Sequence, residues 1–195
     1  MTAREVFARL AAVLERTGIG YMLTGSFASA YHGRARATQD IDIVVDATPE
    51  QLHALKAQLP EPRYFFDLQA ALRARQREGL FQVIDSESGW KVDFIFLKSR
   101  PFSRTEFSRR AEAELEGVRI TIASPEDVLL AKLEWAKRAG SERQTGDGAE
   151  ILSIRGQALD HDYIARWVRD LGLDAQWEAT QRAAAPPTRT QENEP

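Results

Sequence analysis

Leu23-Thr24-Gly25-Ser26, thirteen further residues, then Asp40-Ile41-Asp42-Ile43-Val44-Val45: the reading of this passage decides the fold. Tyr21 to Thr24 form a short apolar run that reads as a buried strand, and Gly25-Ser26 turns it into a short helix over 26–32. Residues 33–39 are small and basic, as in a loop. Residues 40–45 then read as a second strand, with Asp40 and Asp42 on one face and Ile41 and Ile43 on the other. Two carboxylates ~7 Å apart on one face repel each other and are costly to desolvate unless a cation lies between them. Asp93 makes the same exception among Val92, Phe94, Ile95 and Phe96. Taken alone, an acidic strand face is more often a solvated edge than a metal site.

Outward from this passage, residues 3–16 carry apolar positions at helical spacing. Thr48-Pro49-Glu50-Gln51 has a capping Thr, a Pro at the first helical position and Gln where a capping box needs it, predicting a helix to about Leu59. Residues 66–77 read as a weaker helix. Residues 80–85 and 91–97 flank Ser86-Glu87-Ser88-Gly89, a hairpin turn. A strand over 118–123 runs into Ser124-Pro125-Glu126-Asp127, which opens a helix to about Arg138. Helical patterns resume at 148–155, 160–171 and 174–184. The expected architecture is α/β (α+β): a core over 1–123, a C-terminal helical region over 124–184 packed on it as a cap, and a disordered tail over 185–195.

The chain has 195 residues, a formal net charge of −3 and no Cys. Disulfides, thiolate zinc sites and Cys nucleophiles are thereby excluded. No apolar run approaches a membrane span and no signal peptide is evident, so a cytoplasmic location is expected. Arg outnumbers Lys 21 to five. His32, His53 and His161 lack zinc spacing, and surface or loop roles are expected for them.

Gly25-Ser26 would place amide groups and a hydroxyl at a helix N-terminus, a setting that suits a phosphate. On its own this is an ordinary helix start. With Asp40-x-Asp42 at its spacing, and Asp93 beyond, the chain resembles the nucleotidyltransferase (DNA polymerase β-like) superfamily over residues 19–97. The resemblance implies a mixed β-sheet flanked by helices, and transfer of NMP from an NTP, ATP among the candidates, to an acceptor hydroxyl. It also implies metal binding by Asp40, Asp42 and Asp93, to Mg²⁺ or alternatively Mn²⁺, with Asp93 helping the acceptor lose its proton.

On the helix opened by Ser124, Lys132 lies on an apolar face with Val128, Leu129, Trp135 and Ala136. A snorkelling Lys is the bland alternative. The stretch from Ser124 through Lys132 to Gln144 and Asp147 resembles small bacterial nucleotidyltransferases of the AbiEii toxin type. That resemblance implies that Lys132 faces the NTP and that Asp147 supports the site, although Gly146 and Gly148 weaken a helix there. Arg36 and Thr38 also fit its pattern. It implies an RNA or tRNA acceptor, an antitoxin-like partner protein and no membrane. An antibiotic-type enzyme acting on a small molecule, and a non-catalytic nucleotide- or partner-binding module, are the alternatives. Basic residues gather in 63–77 and 98–110, the latter around Phe102 and Phe107. Solvated helix faces over core Phe are the simpler reading. If these stretches face the cleft, an RNA acceptor gains support over a small molecule.

Overall fold

The computed structural model describes residues 2–35, 38 and 40–185. Its sheet is mixed and has the order β3-β4-β5-β2-β1-β7-β6. At the centre, β1 (Gly20–Thr24) runs antiparallel to β2 (Asp40–Asp46), and β2 runs parallel to β5 (Lys91–Phe96). On one side, β4 (Leu80–Asp85) forms a hairpin with β5 and is flanked by the two-residue β3 (Tyr64–Phe65). On the other, β7 (Val118–Ile122) pairs parallel to β1 and antiparallel to β6 (Ala111–Leu115). This is the mixed sheet with flanking helices that the sequence implied.

Helix α1 (Ala3–Thr17) lays Phe7, Leu10 and Ala11 against Leu23, Ile43 and Ile120, on the sheet face opposite the Asp pair. Helix α2 (Gly25–His32) follows β1 directly. Helix α3 (Pro49–Gln58) starts with the expected capping box: the Gln51 amide donates to Thr48 Oγ1 (3.2 Å), and the Thr48 amide to Gln51 Oε1 (2.8 Å). Helix α4 (Leu68–Gln76) confirms the weaker pattern.

Besides the two-residue β3, two longer elements escaped the sequence reading. Residues 101–108 form α5 (Pro101–Ser108), and Ala111–Leu115 forms the edge strand β6. Phe102 and Phe107 are buried in the core, so they offer no stacking surface to a nucleic acid.

Helix α6 (Pro125–Ala139) packs against α2 and against α7 (Glu142–Arg155). Helix α7 begins six residues before the expected 148 and passes through both glycines. Gly148 is where helices approach closely: a Cβ there would lie 3.2 Å from Leu129 and 3.3 Å from Thr180. Helices α8 (His161–Leu171) and α9 (Asp174–Ala184) complete the C-terminal region. Of the expected tail, residues 186–195 lie outside the described residues. No helix among the described residues is long and apolar enough to cross a membrane.

A polar knot joins α5, α6 and α8. Arg109 reaches Glu126 (3.0 Å) and the fully buried Asp127 (3.2 Å), and its guanidinium lies 3.9 Å from the centroid of the Tyr163 ring. Ser124 and Tyr163 donate hydroxyl hydrogen bonds to Asp127 (2.7 and 2.6 Å).

Glu106, also buried, is different. Burial and the nearby Asp127 charge push its carboxyl up to about 8, against the Ser103 hydroxyl and Arg100. At pH 7 the folded chain therefore holds a proton there that the unfolded chain releases, so stability falls as pH rises from the ordinary Glu range toward 8. Glu106→Gln is expected to flatten that slope, gaining on the order of 1–3 kcal/mol over wild type at pH 8 and little at pH 5. Urea melts at both pH values check this. Parallel pH slopes for the two proteins would refute the burial account.

Candidate active site

The central strands line up their polar residues. Thr24 is the register partner of Asp42, Asp42 of Asp93, and Asp93 of Gln82, giving one row across β1, β2, β5 and β4. Gly25 explains why Asp42 can occupy this row. It adopts φ +64°, and a Cβ built on it would lie 2.0 Å from Asp42 Oδ2. The Asp42 carboxylate fills the space that any other residue's side chain would need. The Ser26 amide, at the start of α2, donates to that carboxylate.

Asp42 is held uncomfortably. Burial first, and then the charge of Asp93, raise its pKa; the Ser26 amide and Lys132 pull the other way. Asp93 Oδ1 accepts from Gln82 Nε2 (3.0 Å). Asp40 is the outlying member, 60% exposed, and Lys91 Nζ bridges it (3.3 Å) to Asp93 Oδ2 (3.6 Å). Lys91 is absent from the sequence expectation, although its position two residues before Asp93 was available as a signal.

Among the described residues no three His, Asp or Glu side chains close around one point as a ready metal cage. The donor chemistry nonetheless suits a hard divalent ion. Asp42 and Asp93 offer oxygen ligands on adjacent parallel strands, and their mutual repulsion is what a cation would relieve.

Opposite the carboxylates stands α6. Lys132 is buried, with 4% exposure, and its Nζ donates to Asp147 Oδ2 at 2.7 Å. It therefore does not snorkel, and Asp147 lies within α7 although glycines flank it. A cleft of about 430 Å³ separates the two sides, lined by Gly25, Ser26, Thr38, Asp40, Asp42 and Asp93 facing Lys132 and Trp135. Thr38 Oγ1 accepts from the Asp40 amide (3.3 Å). Arg36 lies outside the described residues. Gln144 also lines the cleft, and its Oε1 is buried with no hydrogen-bond partner among the described residues.

The basic stretches divide. Lys98 and Arg100 border a neighbouring recess, whereas Arg109 belongs to the polar knot and Arg110 bonds the Phe107 carbonyl. In 63–77, Arg63 pairs with Asp85 (3.0 Å) and Arg75 donates to the Ala47 carbonyl, both away from the cleft. His32 corrects another expectation. It is buried, its Nε2 lies 2.8 Å from the Ala123 carbonyl, and burial lowers its pKa, so it ties α2 to the start of α6.

No family model and no curated protein sequence matches the chain. Solved structures do resemble it. An antigenic nucleotidyltransferase-like protein from Paracoccidioides brasiliensis superimposes with a TM-score of 0.54 at 17% identity, covering 91% of each chain. The lincomycin-bound lincosamide antibiotic adenylyltransferase LnuA gives 0.53 at 17% identity, over 79% of this chain and 98% of that one. ANT(2")-Ia in complex with adenylyl-2"-tobramycin gives 0.55 at 13% identity, over 93% and 98%. The chain has the nucleotidyltransferase fold.

Proposed function

We propose that the chain is a divalent-metal-dependent nucleotidyltransferase that moves NMP from an NTP to an acceptor hydroxyl. The observation that carries the reading is the Gly25 turn, built without a side chain so that Asp42 can stand beside Asp93 and across the cleft from Lys132. A desolvated, mutually repulsive pair of carboxylates of this kind costs stability and is explained by a ligand that it serves.

Asp42 and Asp93, with Asp40 at the rim, would hold Mg²⁺ or Mn²⁺. Such an ion, when bound, neutralises charge on the triphosphate and on the attacking oxygen. Ser26 at the head of α2 and Lys132 on α6 would hold phosphate oxygens, with Asp147 fixing the lysine's position. The acceptor oxygen forms a bond to the α-phosphorus, the bond to the bridging oxygen breaks, and pyrophosphate leaves with that electron pair. The acceptor's proton passes to the Asp93 carboxylate, whose other oxygen is steadied by Gln82. Thr38 would border the nucleotide, and the buried Gln144 Oε1 offers an acceptor for a base or ribose donor group. The toxin-type setting, with an RNA acceptor and a partner protein, rests on the resemblance of residues 124–147.

Lys91 favours a second reading. Its ammonium already bridges Asp40 and Asp93, as in a module that binds nucleotide without transferring it. Incubation with each α-labelled NTP, Mg²⁺ and total RNA separates the two. Label in a macromolecule or small molecule is the expected result. Metal–NTP binding by calorimetry with no label anywhere would leave only the binding module.

A further inference from the structure

Beyond Asp93, the cleft continues into a smaller recess of about 100 Å³. The two spaces share a wall made by Thr24, Ile95, Ala131 and Trp135. Ile95 follows Asp93 by two residues on the same face of β5, ~7 Å along the strand. Val44, its register partner on β2, lines the recess too and stands two residues beyond Asp42, so a group entering from the recess would meet Asp42 and Asp93 together.

Its chemistry differs from that of the cleft. Trp135 is 56% exposed, unusual for so large an apolar side chain. The Arg138 guanidinium lies 5.9 Å from its ring centroid. Arg100 is spent on Glu134, bonding both carboxylate oxygens (2.5 and 2.6 Å). Among the described residues, Lys98 and Arg138 make no ion pair within 4 Å. Glu106 also borders the recess, and burial keeps its carboxyl protonated at neutral pH. The recess is thus cationic with one open aromatic face.

We infer that this recess is the acceptor site, and that it takes the terminal nucleotide of a single-stranded polynucleotide, its base on Trp135 and its phosphates at Lys98 and Arg138. The inference rests on the nucleotidyltransferase reading and names its acceptor class. An aromatic face beside cations suits an unpaired base joined to phosphate. A polycationic small molecule would meet charge of its own sign, and a duplex would keep its bases out of reach.

The test titrates the full chain into 5′-labelled 12-nucleotide RNA and DNA strands and follows fluorescence anisotropy over a salt series. Calorimetry with Mg-ATP runs beside it. Wild type is expected to bind the single strands, and the RNA and DNA arms show which sugar the site takes. Trp135→Ala should weaken binding by roughly tenfold, while Trp135→Phe stays within about threefold. Lys98→Ala and Arg138→Ala should each reduce the slope of log affinity against log salt by about 0.7, with ATP binding unchanged. Equal affinity in wild type and all variants, equal competition by a duplex, or no strand binding would overturn the inference. Lost strand binding with retained ATP binding sinks the acceptor site alone. Loss of both by the folded wild-type chain sinks the nucleotidyltransferase reading with it.

Discussion

Asp42→Asn is expected to lower label transfer by on the order of 10³-fold or more while making the folded chain more stable. The two effects have one origin. Asp42 stands half-buried beside Asp93 in the central sheet, and both burial and that neighbouring charge disfavour its ionised form. Asparagine keeps the shape and removes the charge, so a gain of ~0.5–2 kcal/mol in urea unfolding is expected. On the proposed reading, the same removal would leave a metal ion short of an anionic ligand and the triphosphate without its neutralising partner. A variant that lost activity and stability together would point to a structural carboxylate rather than a functional one.

Gly25→Ala is expected to do damage of a different kind. The φ of +64° costs an L residue ~1–2 kcal/mol. The added Cβ must also displace the Asp42 carboxylate from its place, so a total loss of roughly 2–4 kcal/mol is expected. Nucleotide affinity should drop at least tenfold, because the carboxylate and the Ser26 amide lose their arrangement together. Gly140→Ala is the matched control: it has φ +58° and open space around the Cβ position. In an Asp42→Gly background the cost of Gly25→Ala should shrink to that of the control, since the carboxylate is gone. An undiminished cost would mean that the close approach to Asp42 does not matter.

The central strands, α3 and α6 were legible because each carries a local physical signature: alternation on β2, a capping box on α3, Ser-Pro at the start of α6. The edge strand β6 was not. Its Ala-Glu-Ala-Glu-Leu run has little apolar content, and its turn to β7 is made by Glu116 and Gly117, both with positive φ, rather than by the familiar Asn-Gly. Helix α7 was predicted too short because Gly146 and Gly148 count against a helix in propensity, whereas at 148 the absent side chain admits neighbouring helices. Asp40, Asp42 and Asp93 could be singled out from sequence. That Asp42 and Asp93 are register partners, and that Lys91 comes to stand between Asp40 and Asp93, depends on β2 pairing with a strand some fifty residues away. Trp135 was assigned to the apolar side of its helix with Val128 and Leu129. Heptad spacing cannot tell a core-facing stripe from one that borders a cleft, and the cleft exists only after α6 has docked on the sheet.

The strand order also bears on when the site comes into being. Gly25, Asp42, Asp93 and Lys132 belong to β1–α2, β2, β5 and α6, elements spread over more than a hundred residues of chain. No short stretch can assemble them. Contacts so distant in sequence form only when the whole sheet closes, and on central strands they open only with it, so a nascent or unfolded chain offers no pocket to a nucleotide. Occupancy would then be linked to the global transition rather than to a local loop: at a hundred times its dissociation constant, a ligand confined to the native state adds about 2.7 kcal/mol against unfolding. The chain's resistance to proteolysis in a cell would follow its nucleotide supply.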